Sequence, residues 1–207
     1  MTINPIRLRW RSAAVTGLLL FLVSFFATRD PGLSYSERII FDLFQSLRPH
    51  FDWLFVNTTH LGSPYVLLLI GAIWLLSAQL RKSPLLREWL LGGGLALVLT
   101  YIAKLLLGRP RPQDLIDYSL EPLVAAQGAG FPSGHTAFIT VLALGLMIKS
   151  ERKFRIAGAV LLLVVATSRL YLGVHAPLDL VGGFAIGLFS VAVIKLTLIE
   201  MSAKKQR

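Results

Sequence analysis

Six long apolar stretches dominate the pattern of hydrophobic and polar positions along this chain. Each has close to the ~20 residues that an α-helix needs to cross the hydrocarbon core of a bilayer. None alternates polar and apolar residues, so the pattern predicts helices and excludes membrane-spanning β-strands. We therefore predict an all-α integral membrane protein with six transmembrane helices. The stretches cover residues 12–28, 61–80, 89–107, 133–148, 156–172 and 177–199.

A shorter amphipathic segment lies between the first and second stretches. Ser34-Tyr35-Ser36-Glu37 has the pattern of a capping box, in which a serine and a glutamate close the start of a helix. Apolar residues then recur at helical spacing, which predicts an amphipathic helix lying in the outer membrane interface. Its simplest role is that of a connector that shields the bundle. These apolar residues are Ile39, Ile40, Leu43, Phe44 and Leu47.

Basic residues orient the six predicted spans. They cluster before span one, between spans two and three, between spans four and five, and after span six. Loops rich in Lys and Arg face the cytoplasm, so we expect both termini to be cytoplasmic. The members are Arg7, Arg9, Arg11, Arg81, Lys82, Arg87, Lys149, Arg152, Lys153, Arg155, Lys204, Lys205 and Arg207.

Composition supports a membrane protein with one domain over residues 1–207. Only 15% of the residues are charged and 55% are hydrophobic, whereas a soluble domain carries about 25% charged residues. The net charge of +10 does not indicate a nucleic-acid partner, because the basic residues occupy the loops between spans. The absence of cysteine excludes disulfides and thiol chemistry. No small-residue cleavage site follows Phe26, so we expect the first stretch to be a retained span.

Three polar clusters fall at the predicted outer ends of spans three to six. They are Lys104 with Arg111-Pro112, then Pro132-Ser133-Gly134-His135, then Ser168-Arg169 with His175 and Asp179. Charges placed so deep in a membrane protein are costly and usually functional. Lys104, Arg111 and Arg169 supply hydrogen-bond donors and no acceptors, which suits an anion with several oxygens such as phosphate. Arg109 is expected to be an ordinary flanking charge, and Lys195, near the inner end of span six, to extend toward the interface.

The two histidines and the aspartate suggest phosphoryl chemistry. Ser133 is a plausible cap of a helix start, where Gly134 leaves free amides for an anion. His175 and Asp179 are four residues apart, so the carboxylate can fix the tautomer of the imidazole and leave its other nitrogen free to attack. His135 could then stand across the phosphate and protonate the leaving oxygen.

Taken together, the clusters resemble the three signature motifs of the type 2 phosphatidic acid phosphatase (PAP2) family. Its pattern is Lys-x6-Arg-Pro, Pro-Ser-Gly-His and Ser-Arg-x5-His-x3-Asp, and all three motifs are complete between residues 104 and 179. The resemblance implies a bacterial membrane lipid phosphatase in which His175 forms a phosphohistidine, Asp179 orients it and His135 is the general acid. It also implies that no metal or other cofactor is needed. The implied phosphate ligands are Lys104, Arg111, Ser133, Gly134 and Arg169.

Other functions fit less well. The superfamily also contains glucose-6-phosphatases and vanadium haloperoxidases, but the haloperoxidases are usually soluble. A transporter would line a path across the bilayer with polar residues, and spans one, two and six have almost none at mid-depth. Among lipids, undecaprenyl pyrophosphate is favoured because its head group is exposed on the outer side. Phosphatidylglycerophosphate, phosphatidate and lipid A 1-phosphate are the alternatives. The expected location is the bacterial inner membrane, with the site facing the periplasm or exterior, and the oligomeric state stays open.

Overall fold

A computed structural model describes residues 4–30, 32–115, 123–149 and 151–205 of the chain. Within these ranges the chain forms nine α-helices and two short 3₁₀ turns, His60–Gly62 and Leu80–Lys82. The all-α prediction is confirmed, whereas Arg207 lies outside the described residues. The helices are α1 (Pro5–Ala27), α2 (Tyr35–Ser46), α3 (Asp52–Thr59), α4 (Pro64–Leu76), α5 (Pro84–Leu107), α6 (Pro112–Leu115), α7 (Gly134–Met147), α8 (Arg152–Tyr171) and α9 (Pro177–Lys205).

Proline and a polar cap define where several of the long helices begin. Asn4, Ser63 and Ser83 each accept a hydrogen bond from a backbone N–H of the first turn of α1, α4 and α5, and each is followed by proline. Proline suits the first helical position because its missing N–H has no intrahelical partner there. At the other end of α5, Gly108 has φ 62° and caps the helix in the left-handed conformation that favours glycine.

Four helical segments of the described residues are long and apolar enough to cross a membrane: Pro5–Ala27, Pro84–Leu115, Arg152–Tyr171 and Pro177–Lys205. A fifth span is possible if Asp52–Gly62 and Pro64–Leu76, which meet at 51°, act as one. The fourth predicted span corresponds to α7, whose 14 residues are fewer than the ~20 of a full crossing. The chain is therefore a multi-pass protein by length and composition, and the count of six spans stays a prediction.

The core of the bundle is the contact between α7 and α9. Helix α7 also packs against α5 and α8, and α9 against α1 and α5. Ala137, Phe138 and Ile139 of α7 are completely buried. Glycines on α9 let the two backbones approach closely: a Cβ atom added at Gly187 would lie 2.6 Å from the carbonyl oxygen of Ala137. Small residues at such crossings are typical of helices that associate in lipid.

Helix α2 matches the predicted amphipathic helix in position and cap. The Ser34 side chain accepts from the Glu37 amide, and the Glu37 carboxylate accepts from the Ser34 amide. The side of the helix that faces the protein is not purely apolar, because it carries two polar side chains, Glu37 and Gln45. Glu37, Phe41 and Gln45, spaced four apart, are buried, whereas the apolar Ile39, Ile40, Leu43 and Leu47 are exposed. A row of exposed apolar side chains is suited to contact with lipid.

The basic clusters and the three motifs lie at opposite ends of the same helices. Arg87 is in the first turn of α5 and Lys104 in its last. Asp179 is in the first turn of α9 and Lys204 in its last. Lys195, predicted to extend toward the interface, forms an ion pair with Glu88 at 2.6 Å. The bundle therefore separates a basic end from the end that holds the motifs.

Substituting Gly187 with alanine should destabilise the bundle. The added methyl group meets backbone of α7, and overpacking of this kind costs about 1–3 kcal/mol, more than the roughly 1 kcal/mol that alanine gains in helix propensity. Thermal unfolding in detergent should therefore show a lower midpoint for Gly187→Ala. Gly94→Ala is the matched control, because a Cβ at Gly94 meets nothing within 4 Å. A Gly187→Ala protein as stable as Gly94→Ala would contradict this packing.

Candidate active site

The ends of α5, α7 and α8 and the turn before α9 meet around a cavity of about 340 Å³. Six of the eight residues predicted for the site line this cavity, although they come from three separate parts of the chain. Because the helices alternate in direction, the end of one lies beside the start of the next, which brings the three motifs together. The six residues are Lys104, Arg111, Gly134, His135, Arg169 and His175.

The pair His175 and Asp179 has the geometry expected of an oriented imidazole. Nδ1 of His175 lies 3.3 Å from Oδ2 of Asp179, and both side chains are buried. The same carboxylate oxygen accepts from the amide of Ala176 at 2.9 Å. With the proton of the ring held on Nδ1, Nε2 is free as a nucleophile. Nε2 also lies 3.5 Å from Nη1 of Arg111.

The environment keeps His175 uncharged. Burial, and next the positive charges of Arg169, Arg111 and Lys104, lower the pKa of His175 well below its usual value. Both effects disfavour the imidazolium, one by desolvation and the other by repulsion. The ring is therefore neutral near pH 7, as nucleophilic attack requires.

Three cations that line the cavity have no carboxylate partner in the part of the chain that the structure describes. Within the described residues, none of Lys104, Arg111 and Arg169 makes an ion pair with Asp or Glu. Arg111 and Arg169 are 7% and 5% exposed. A buried charge normally has a partner of opposite sign, because desolvation is costly. The cavity is therefore suited to an anion that supplies the missing negative charge.

Neutral acceptors hold these cations in place. Arg111 donates to the carbonyl oxygens of Val174 at 2.8 Å, Gly128 at 3.0 Å and Gln127 at 3.1 Å, and Lys104 donates to that of Ala129. Carbonyl groups fix the position of a cation but do not cancel its charge. The segment 127–130 is thus a scaffold for two of the three cations.

The sequence did not predict the contact between Thr59 and Arg169. The Thr59 hydroxyl accepts from Nη1 of Arg169 at 2.7 Å, and both side chains are buried. Thr59 ends α3, so this bond ties the segment before the second predicted span to the last turn of α8. Nothing in the local pattern around Thr59 indicates the contact, since the partners are 110 residues apart.

Ser133 and Asp179 are the two predicted residues that do not line the cavity. Ser133 is completely buried, and its hydroxyl accepts from the amide of Thr136 at 3.4 Å, so its predicted helix cap is confirmed. Its backbone amide donates to the carbonyl oxygen of Asp179 at 2.9 Å, which joins the starts of α7 and α9. A direct contact of Ser133 with phosphate stays a prediction.

Arg109 is the main correction to the sequence analysis. The prediction of an ordinary flanking charge is wrong, because Arg109 is only 2% exposed. It pairs with Glu37 at 2.9 Å and with Asp179 at 2.9 Å. In the run Arg109-Pro110-Arg111 the two arginines are two positions apart, and only Arg111 lines the cavity. Glu37 was also missed, since a capping-box glutamate is ordinarily a local helix feature.

Within residues 4–30, 32–115, 123–149 and 151–205, no three or more His, Asp or Glu side chains are arranged to hold a metal ion. The expectation that the reaction needs no metal stays a prediction.

Comparisons with known proteins agree with the three motifs. The sequence model of the PAP2 superfamily matches residues 87–200. An undecaprenyl-diphosphatase from Sulfolobus acidocaldarius is 29% identical over 136 residues, which cover 65% of this chain and 64% of that protein. The alignment thus spans slightly less than two thirds of the Sulfolobus protein. Phosphatidylglycerophosphatase B from Bacillus subtilis is 31% identical over 159 residues, covering 72% of this chain and 75% of the relative.

A solved structure extends the similarity to nearly the whole fold. The crystal structure of a transmembrane PAP2-type phosphatidylglycerolphosphate phosphatase from Bacillus subtilis is 26% identical, with a TM-score of 0.72. The similarity covers 94% of this chain and 98% of that one. The arrangement of helices around the cavity is therefore one that a PAP2 protein adopts.

The cationic cavity should bind inorganic phosphate, and the binding should depend on the guanidinium fork. Arg111→Lys and Arg169→Lys keep the charge but lose the paired N–H groups. One charge-assisted hydrogen bond is worth about 1.5–3 kcal/mol, so each substitution should raise the phosphate Kd about tenfold or more. Isothermal titration calorimetry of the detergent-purified protein measures this.

Arg155→Lys is the matched control for the calorimetry. Arg155 lies in α8, as Arg169 does, but is exposed near the opposite end of the helix. Its substitution should leave the phosphate Kd unchanged. Equal affinity in wild type, Arg111→Lys and Arg169→Lys would show that the anion does not sit in this cavity.

Proposed function

This chain belongs to the PAP2 superfamily, and we propose that it is a membrane phosphatase that hydrolyses a lipid phosphomonoester or pyrophosphate through a phosphohistidine at His175. The predicted family is confirmed by the match over residues 87–200. The activity is supported by relatives that are named undecaprenyl-diphosphatase and phosphatidylglycerophosphatase B.

The observation that best supports this activity is the set of three cations beside a neutral, oriented histidine. Lys104, Arg111 and Arg169 lack carboxylate partners among the described residues and surround the cavity that His175 also lines. Phosphoryl transfer chiefly requires positioning and stabilisation of charge on the equatorial oxygens. A cationic cavity with one nucleophile supplies both.

In the first step, Nε2 of His175 attacks phosphorus and the bond from phosphorus to the leaving oxygen breaks. His135, on the same cavity, donates a proton to that oxygen. Asp179 accepts the Nδ1–H of His175 and stabilises the positive charge that develops on the ring. The free N–H groups at the start of α7, beginning with Gly134, add a positive helix end to the phosphate site.

In the second step, water replaces the leaving group. His135, now unprotonated, takes a proton from water as the water oxygen bonds to phosphorus. The bond from phosphorus to Nε2 of His175 breaks, and inorganic phosphate leaves the cavity. The same residue thus acts first as acid and then as base. The whole cycle assigns no role to a metal.

A lipid substrate is consistent with the uneven lining of the cavity. Besides the cations, the cavity is lined by the apolar or largely apolar side chains of Pro64, Leu97 and Tyr101. We favour undecaprenyl pyrophosphate, because its head group is exposed outside and a pyrophosphate matches three positive charges. Phosphatidylglycerophosphate, phosphatidate and lipid A 1-phosphate are the other candidate substrates.

The proposed topology is a single six-span domain over residues 1–207 in a bacterial inner membrane. Helix α7 would be the fourth span, protected by the helices around it. The basic ends of the helices face the cytoplasm, so the cavity faces the periplasm or exterior. Helix α2 would lie in the outer interface, with its exposed apolar row toward lipid and Glu37 toward the protein.

The activity can be tested with a panel of the four candidate lipids. Purified wild type should release phosphate from at least one of them in the presence of a chelator. His175→Ala should abolish release because it removes the nucleophile. Asp179→Asn should retain a small fraction, since it disturbs orientation rather than attack. Phosphate release is measured with a colorimetric assay.

His50→Ala is the matched control for the activity test, because His50 is exposed and its Nδ1 lies 3.2 Å from the carbonyl oxygen of Leu47, away from the cavity residues. It should keep the wild-type rate. A His175→Ala protein that retains more than a few percent of that rate would exclude His175 as the nucleophile. Complete loss in chelator, restored by a divalent ion, would instead indicate metal-assisted hydrolysis.

The sidedness can be tested with two single cysteines in this cysteine-free chain. Gln127 lies beside the cavity and Gln79 lies between α4 and α5, and both side chains are exposed. An impermeant thiol reagent should label Gln127→Cys, but not Gln79→Cys, in intact cells. Both should be labelled after the cells are lysed. The reverse pattern in intact cells would place the cavity in the cytoplasm.

A further inference from the structure

A buried chain of charges connects helix α2 with the catalytic pair. Glu37 begins this chain, Arg109 continues it, and Asp179 ends it beside His175. The three charged residues are 3%, 2% and 0% exposed. They come from the first turn of α2, the residue after the cap of α5 and the first turn of α9.

Both Nη atoms of Arg109 donate all of their N–H groups within the protein. Its Nη1 donates to Glu37 Oε1 at 3.1 Å and to Asp179 Oδ1 at 2.9 Å. Its Nη2 donates to Glu37 Oε2 at 2.9 Å and to the carbonyl oxygen of Gly32 at 3.0 Å. Four of the five N–H groups of a guanidinium are thereby used. The two Nη atoms of Arg109 therefore have no N–H group left for a phosphate.

Glu37 fixes the orientation of that guanidinium. Its two carboxylate oxygens accept from the two Nη atoms of Arg109, which is the bidentate arrangement that best defines the plane of an arginine. The same carboxylate accepts from the amides of Ser34 at 3.1 Å and Leu178 at 3.2 Å. Leu178 directly precedes Asp179, so Glu37 holds both the guanidinium and the backbone beside the orienting carboxylate.

Asp179 divides its two oxygens between separate tasks. Oδ1 is held by Arg109, and Oδ2 faces Nδ1 of His175 and the amide of Ala176. Without Arg109 the carboxylate could rotate, and its negative charge would be buried with less compensation. The direction in which His175 presents Nε2 thus depends on Arg109, and the direction of Arg109 depends on Glu37.

We propose that Glu37 and Arg109 are positioning residues for the reaction, which act through Asp179 to hold the nucleophile His175 in its attacking orientation. This inference rests on the proposed function of His175. Neither residue lines the cavity, so neither touches the substrate. This series of buried charges also gives α2 a second role besides contact with the membrane, because the helix supplies Glu37, the residue of the hydrogen-bond network that lies farthest from His175.

The test is the kinetics of Glu37→Gln with undecaprenyl pyrophosphate, or with the panel lipid that the wild type hydrolyses fastest. The amide keeps the shape of the side chain but loses the charge that orients Arg109. Removal of a partner that orients an active-site group typically lowers activity about 10- to 100-fold, so kcat should fall by about tenfold or more. KM and the Kd for inorganic phosphate should stay within about twofold, because the lost interaction does not contact substrate.

Asp42→Asn is the matched control on the same helix. Asp42 pairs with Arg38 at 3.6 Å, and the two side chains are 49% and 55% exposed. The substitution is the same exchange of a carboxylate for an amide, at the surface instead of in the chain of charges. It should leave kcat unchanged. All variants are measured as monodisperse protein with matched thermal stability data.

A double substitution tests whether the two residues act as one unit. Arg109→Lys keeps the charge but cannot bind both carboxylates through a planar fork. If Glu37 acts only through Arg109, the double variant should be no slower than the more severe single variant. Independent losses that multiply would overturn the proposal. Wild-type kcat in Glu37→Gln would do so as well, and so would a parallel loss of kcat and phosphate binding.

The experiment also separates a folding defect of Glu37→Gln, and a failure of the proposed function, from a failure of the positioning role. If Glu37→Gln yields no monodisperse protein, Glu37→Asp, which keeps the charge at a shorter reach, is judged by the same kinetic criteria. Failure of the proposed function would appear as an inactive wild type or an active His175→Ala protein. A dispensable Glu37 beside an essential His175 would overturn only the positioning role.

Discussion

Asp179 receives contacts from segments that are distant in the sequence. Its side chain accepts from Arg109 after α5 and from the turn before α9, and its backbone carbonyl accepts from Ser133 at the start of α7. A completely buried carboxylate is stable only when such partners surround it. The position of α7 relative to α9, the direction of His175 and the anchoring of α2 through Glu37 all depend on this one anion being satisfied.

Positive charge is distributed differently from negative charge around the cavity. The buried carboxylates of Glu37 and Asp179 both pair with Arg109. Among the residues that the structure describes, Lys104, Arg111 and Arg169 form no ion pair with Asp or Glu and donate to neutral acceptors. We propose that the first set orients the nucleophile and that the second binds the phosphate. This division is the reason for the different roles that we propose for Arg109 and Arg111, although each of them is followed by a proline. A buried cation without a partner of opposite charge is costly, so binding of an anion beside these cations is favourable.

Helix α2 shows how one element can meet two requirements. A helix that lies in the membrane interface, as we propose for α2, needs an apolar face, and the exposed side chains of Ile39, Leu43 and Leu47 would supply it. Its opposite face would ordinarily be solvated, yet Glu37 and Gln45 are buried against α8 and α9. Gln45 donates to the carbonyl oxygen of Leu170 at 2.6 Å. The polar face is therefore used to bind free backbone and side-chain groups at the end of the bundle where the cavity opens.

The sequence by itself determined the helical class, the starts of α2, α7 and α9, and most of the candidate site. Caps and hydrophobic periodicity are local signals, and the motif spacing selects Lys104, Arg111, Arg169 and His175 without any knowledge of packing. The tertiary structure alone decided which polar residues meet. Glu37 with Arg109, and Thr59 with Arg169, join positions 72 and 110 residues apart, and no periodicity connects such positions. An arginine at a span end has the same local pattern whether it binds a substrate, a carboxylate or water, because its partner is set by how the helices pack.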